Sequence, residues 1–94
     1  MEIQFTTQIF KEGRTYVAHA PELDVSSCGG TKERALKNLK EAVRLFLDQA
    51  EKMVTLDRIL QEAGYLRVKS KLRGPKLISV RQVSLPLPME NAKA

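Results

Sequence analysis

His19, Glu22, Asp24 and Cys28 are the residues that could move a proton, attack a carbon or hold a metal, and they lie close together in the chain. His19 is the single histidine. A general base or metal ligand needs company, either a second imidazole or a carboxylate held against the ring. The nearby carboxylates, Glu22 and Asp24, lie beyond Pro21 in what reads as a turn. The two-residue period of the flanking segment sets His19 on the strand face opposite Tyr16 and Ala18, and we read it as structural or as a partner contact. Cys28 precedes Gly29-Gly30-Thr31, and a thiol aimed at a helix start is a reactive one. Nucleophilic catalysis also needs a base and an orienting group, so Cys28 reads as a small buried hydrophobe. The Gly-Gly-Thr amides could bind an anion, but the spacing of a phosphate-binding loop is missing and a strand-to-helix turn explains the same residues. No zinc-protease, paired-cysteine or nucleophile-elbow motif occurs, and no cofactor or metal is expected.

A second kind of chemistry is cationic. Arg67, Lys69, Lys71 and Arg73 alternate with Leu66, Val68, Ser70 and Leu72, so one continuous strand would place all four charges on one face. Such a face could take nucleic-acid phosphates or an acidic protein. The same pattern would also keep an exposed edge strand from aggregating, and the segment lacks aromatic residues on which bases could stack. Net charge is +5 over 94 residues. The excess sits in the C-terminal third, because acids and bases nearly balance between Lys32 and Glu62.

The elements that must carry these residues follow from period and punctuation. Residues 3–10 alternate as a half-buried strand, with Ile3, Phe5, Thr7 and Ile9 on one face. Gly13 marks a turn, residues 15–19 a second strand that Pro21 ends, and residues 23–28 a short third strand. Gly29 and Gly30 are read as free to take positive φ, and Thr31 as the N-cap of a long helix. Leu36, Leu39, Val43, Phe46, Leu47 and Ala50 form its apolar stripe. Glu33 with Lys37, Lys37 with Glu41, and Arg44 with Asp48 stand four apart on the wet side. Thr55 caps a second, short helix closed by Gly64. A cationic strand over 66–73 and a final strand over 77–87 complete the chain. Ile78 and Val80 differ in parity from Val83, Leu85 and Leu87, which predicts a bulge near Arg81-Gln82.

The expected fold is α+β, an antiparallel sheet with one long helix packed on it, in the order β-β-β-α-α-β-β. Residues 1–89 form one domain with basic C-terminal strands, followed by a frayed tail over 90–94. With one cysteine there is no intrachain disulfide, and no stretch reaches the roughly 18 apolar residues of a membrane span. The start lacks a leader pattern, so the protein is expected to be soluble and cytoplasmic, with no membrane partner.

Tyr16-Val17-Ala18, Pro21-Glu22-Leu23, Gly29 with Thr31, and Ala35, Leu36, Asn38, Leu39, Glu41, Ala42, Val43, Leu45, Phe46 and Leu47 together resemble the core of the HicB-like antitoxin family. The match covers about the first half of the chain, and residues 55–65 are similar to a tail found in some members. The resemblance implies a truncated RNase H-like domain without that fold's catalytic carboxylates. It also implies a HicA-type toxin as partner, a small ribonuclease whose active surface the antitoxin covers. Tyr16, His19, Glu22 and Asp24 are the candidate contacts. Many members add a DNA-binding domain, and none is recognised after Gly64. Ala20, Cys28 and Gly30 stand where the family often has other residues, so those side-chain roles do not transfer.

Three functions are weighed: a non-enzymatic antitoxin, a small basic nucleic-acid binder using the 67–73 face, and a small enzyme resting on His19 and Cys28. The first explains the most residues. A homodimer or higher homo-oligomer is expected through the last strand, whose apolar positions exceed what one helix pair covers.

Overall fold

The computed structural model describes residues 1–88; the tail expected over 90–94, with Met89, lies outside the described residues. The fold is α+β, and its elements follow the expected order once the first strand is divided in two. They are β1 (Glu2–Ile3), β2 (Gln8–Glu12), β3 (Thr15–Ala20), β4 (Val25–Gly29), α1 (Lys32–Lys52), α2 (Leu56–Glu62), β5 (Leu66–Val68) and β6 (Lys71–Arg73). They build two three-stranded sheets, β2-β3-β4 and β1-β6-β5.

The first sheet is the antiparallel one, with Ile9 opposite Ala18 and Ala18 opposite Ser27. Its residues alternate, so one face presents Ala18 and Ala20 to the helices, and both are fully buried. From α1, Ala35, Leu39 and Val43 meet them, and Leu60 of α2, Leu23 and Tyr65 close the same cluster. Phe46 and Leu47 pack against its edge as the apolar stripe predicts. Alanines at Ala18, Ala20 and Ala35 are what let a helix sit this close to a sheet. Leu45, by contrast, points to solvent.

Thr31 caps α1 as expected, its hydroxyl accepting from the Arg34 amide at 3.1 Å. Gly29 and Gly30 differ from expectation, since neither takes a positive φ; Gly13 and Gly64 do. Gly29 is needed for space: a Cβ there would lie 2.7 Å from the Ala35 amide nitrogen. Thr55 departs too, because its hydroxyl donates back to the Ala50 carbonyl at 3.3 Å and caps nothing in α2. None of the three expected helix-surface pairs closes to 4.0 Å among the described residues. Long exposed side chains gain little from such contacts.

The two larger corrections concern strands. Residues 3–10 do not run as one strand: between β1 and β2 the chain leaves one sheet for the other. Residues 66–73 fold as a hairpin, with Lys69 at φ 59 in its turn and Arg67 opposite Leu72. The four cations therefore do not share a face. Arg67 lies on the side of Leu72, which packs against the core, while Lys71 and Arg73 lie on the other. β1 joins β6 in parallel, with the Glu2 amide donating to the Ser70 carbonyl and the Gln4 amide to the Leu72 carbonyl, both at 3.0 Å. Residues 77–87 pair with no strand among the described residues and so form neither strand nor bulge, and all of them are exposed.

Gly29→Ala should cost about 1–3 kcal/mol, because the added carbon meets backbone that cannot move without lifting the helix start. Gly30→Ala, with nothing within 4 Å of the added carbon, should stay within about 0.5 kcal/mol of the parent. Urea unfolding of the two variants checks the difference.

Candidate functional site

Of the four expected contact residues, the fold brings two together. His19 and Asp24 meet on the face of the β2-β3-β4 sheet that no helix covers. The His19 Nε2 lies 3.1 Å from the Asp24 Oδ1, and its Nδ1 lies 3.3 Å from the Gln8 Oε1. Gln8 is the cross-strand partner of His19. Asp24 reaches the ring because it takes a left-handed backbone, φ 53, which bends the turn after Pro21 back toward β3. That contact was not legible from spacing alone. These two contacts, one at each ring nitrogen, hold the His19 imidazole in one orientation.

Tyr16 and Glu22 lie elsewhere. Tyr16 sits on the helix-side face beside Lys11, whose ammonium stands 5.8 Å from the ring centroid. Glu22 is committed inside the fold. Its carboxylate accepts from the Thr6 amide at 3.0 and 2.9 Å and from the Thr6 hydroxyl at 2.7 Å. Thr6 lies between β1 and β2, so this acid anchors the crossing between the sheets.

Tyr65 makes the companion contact, donating its hydroxyl to the Gln4 carbonyl at 2.8 Å. Burial, and then the negative charge of Glu22, push its phenol up from 10.0 to about 12.

Cys28 is exposed, against the expectation of a buried hydrophobe. It lies in line with Val17 and Phe10 across the sheet, forming the row Phe10–Val17–Cys28 beside the row Gln8–His19–Ser26. Phe10 is 52% exposed. Sequence parity put Phe10 opposite Ile9, and the ladder shows what that implies: an aromatic side chain on an uncovered sheet face. The Asn38 amide donates to the Cys28 carbonyl at 2.8 Å and ties the edge of β4 to α1.

Arg73 lines a groove of about 800 Å³ together with Lys40 and Lys76. None of these three has a carboxylate within 4.0 Å among the described residues, and Glu22 on the groove wall is held by Thr6. Sequence reasoning missed this grouping because Lys40 comes from the helix and Lys76 from beyond the hairpin. Among the described residues, no group of three or more His, Cys, Asp or Glu side chains is placed to hold a metal ion. No helix there is long and apolar enough to cross a membrane.

No family model matches the chain, and neither a curated protein nor a solved structure matches it.

Two outcomes test this account of Glu22 and Tyr65. Glu22→Ala should cost about 1.5–3 kcal/mol in urea unfolding, since the Thr6 amide loses a charged acceptor. The Tyr65 phenol holds its proton more tightly folded than unfolded, so its contribution is complete below pH 10 and is lost as pH rises toward 12. In a Tyr16→Phe background, tyrosinate absorbance should rise together with unfolding, and Tyr65→Phe should remove that part of the pH dependence.

Proposed function

We propose that this chain is a non-enzymatic antitoxin of the HicB-like kind, which binds a HicA-type ribonuclease toxin in the cytoplasm and neutralises it by covering its active surface. The observation that carries the reading is the uncovered face of the β2-β3-β4 sheet. There an exposed aromatic, an aliphatic residue and a thiol lie in one row, flanked by a histidine fixed by Gln8 and Asp24. A rigid sheet with an apolar row and a polar border suits a protein partner, because little side-chain entropy is lost on docking.

The residues that carry the family resemblance support the same reading by their roles. Gly29, Thr31, Ala35, Leu39 and Val43 seat the helix, and Glu22 pins the sheet crossing. They build the platform and leave its far face free. On this reading the fold is a truncated RNase H-like domain used for binding, and the chain self-associates as a homodimer or higher oligomer.

A second reading, direct nucleic-acid binding, moves from the 67–73 face to the groove of Lys40, Arg73 and Lys76. Retention of RNA or DNA that falls steeply with salt and is lost in a Lys40→Glu, Arg73→Glu variant would favour it.

Co-expression with a HicA-type toxin, followed by copurification and a ribonuclease assay, tests the first reading. Phe10→Asp should weaken the complex by roughly thirty-fold, as expected for loss of an aromatic anchor worth about 2 kcal/mol. Its circular dichroism should be unchanged, and bound toxin should shield Cys28 from alkylation. A toxin that neither binds nor loses activity refutes the reading.

A further inference from the structure

Residues 77–88 follow Lys76 as an exposed arm without regular secondary structure, carrying Leu77, Ile78, Val80, Val83, Leu85 and Leu87, with Ile78 and Leu85 each 81% exposed. Its root lies against the start of β2: Leu77 and Val80 line one depression with Thr6, Thr7 and Gln8. It nevertheless forms no ladder there within its own chain. β2 is the outer strand of its sheet, while the opposite edge is tied to α1 by Asn38.

The proline positions give the arm a direction. In an extended strand the backbone N–H groups alternate between the two edges, so even-numbered residues offer theirs on one side and odd-numbered residues on the other. Pro86 and Pro88 are both even and remove donors from the same edge. Val83, Leu85 and Leu87 are odd, keep every amide, and share one side-chain face. The outer half of the arm can therefore pair along one edge only. It can extend a sheet but cannot sit inside one, which closes an assembly and prevents open-ended stacking.

We propose that the arm adds to the outer edge of β2 in a second copy of this chain, the two copies exchanging arms reciprocally. The inference rests on the self-association proposed above and supplies its geometry. Parity supports exchange: Ile78 and Val80 face one way and the outer apolar residues the other, as a strand shared between two bodies requires. Area supports it as well. Six such side chains amount to roughly 400–700 Å² of apolar surface, by the area equivalent of their burial energies. One arm docked alone falls short of the roughly 800 Å² per partner of a stable interface, and a reciprocal pair reaches it. Every copy carries both the arm and the edge, so the contact is self-complementary under a two-fold axis.

Light scattering of the full chain and its variants tests the geometry. Ser84→Pro falls on the edge that already lacks donors and should leave the dimer intact. Val83→Pro removes an amide from the pairing edge and should raise the dimer dissociation constant at least ten-fold, whereas Val83→Thr, which keeps that amide, should have a smaller effect. Thermal melting of the same variants as dilute monomers should be unchanged, since the arm lies outside the core. A parent that stays monomeric at high concentration overturns self-association itself. A dimer equally tolerant of Ser84→Pro and Val83→Pro overturns the arm exchange alone. Loss of toxin binding by Val83→Pro with an unchanged dimer would assign the arm to the toxin and overturn the proposal.

Discussion

Everything in this fold depends on how the chain passes from one sheet to the other at Thr6. An amide between two strands has no ladder partner, and a part-buried amide left unpaired is costly. Glu22 takes that amide and the neighbouring hydroxyl on one carboxylate. Tyr65 takes the carbonyl of Gln4 just upstream. With these two contacts the backbone bends while the Thr6 amide and the Gln4 carbonyl keep partners, and the small β1-β6-β5 sheet is held beside the larger one. The Pro-Glu-Leu turn, which looks like a plain connector, supplies both an acid for the crossing and, at Leu23, a core residue.

The second constraint is close approach. α1 lies on a floor of alanines and turns out of β4 through Gly29, where no side chain fits. The two helices gather on one face of the β2-β3-β4 sheet, so the fold has a single covering layer. The opposite face keeps Phe10, Val17 and Cys28 in the open. This uncovered row is the surface that the proposed function assigns to a partner. It arises here directly from the packing of the helices, which meet the sheet on the side of Ala18 and Ala20.

Local signals in the sequence carried much of this. The long helix, its Thr31 cap, its apolar stripe, the β2-β3 hairpin and the break at Pro21 were all legible, because period and capping act over a few residues. What stayed hidden depends on distant partners. The division of residues 3–10 rests on Glu22 and Tyr65. The hairpin at 66–73 rests on β1, which offers β6 a parallel neighbour, and alternation alone read that segment as one strand. The meeting of His19 with Asp24 rests on a left-handed backbone that spacing does not reveal. Lys40, Arg73 and Lys76 come from three elements and share a groove only once the hairpin folds back. Residues 77–87 have the pattern of a strand, and within the described residues they pair with no edge.

The pairing of Glu2 with Lys71 has a consequence for the way the chain is made. Synthesis proceeds from the N-terminus, and the Tyr65–Gln4 contact spans 61 positions. β1 must therefore wait until residues 65–73 have emerged, whereas β2 through α1 can collapse earlier on contacts that are mostly local. The larger sheet and its open face are thus assembled first, and closure of β1 onto β6 comes last. A chain that stalls before residue 71 would already carry the uncovered face with Phe10 and Cys28, without the small sheet beside it.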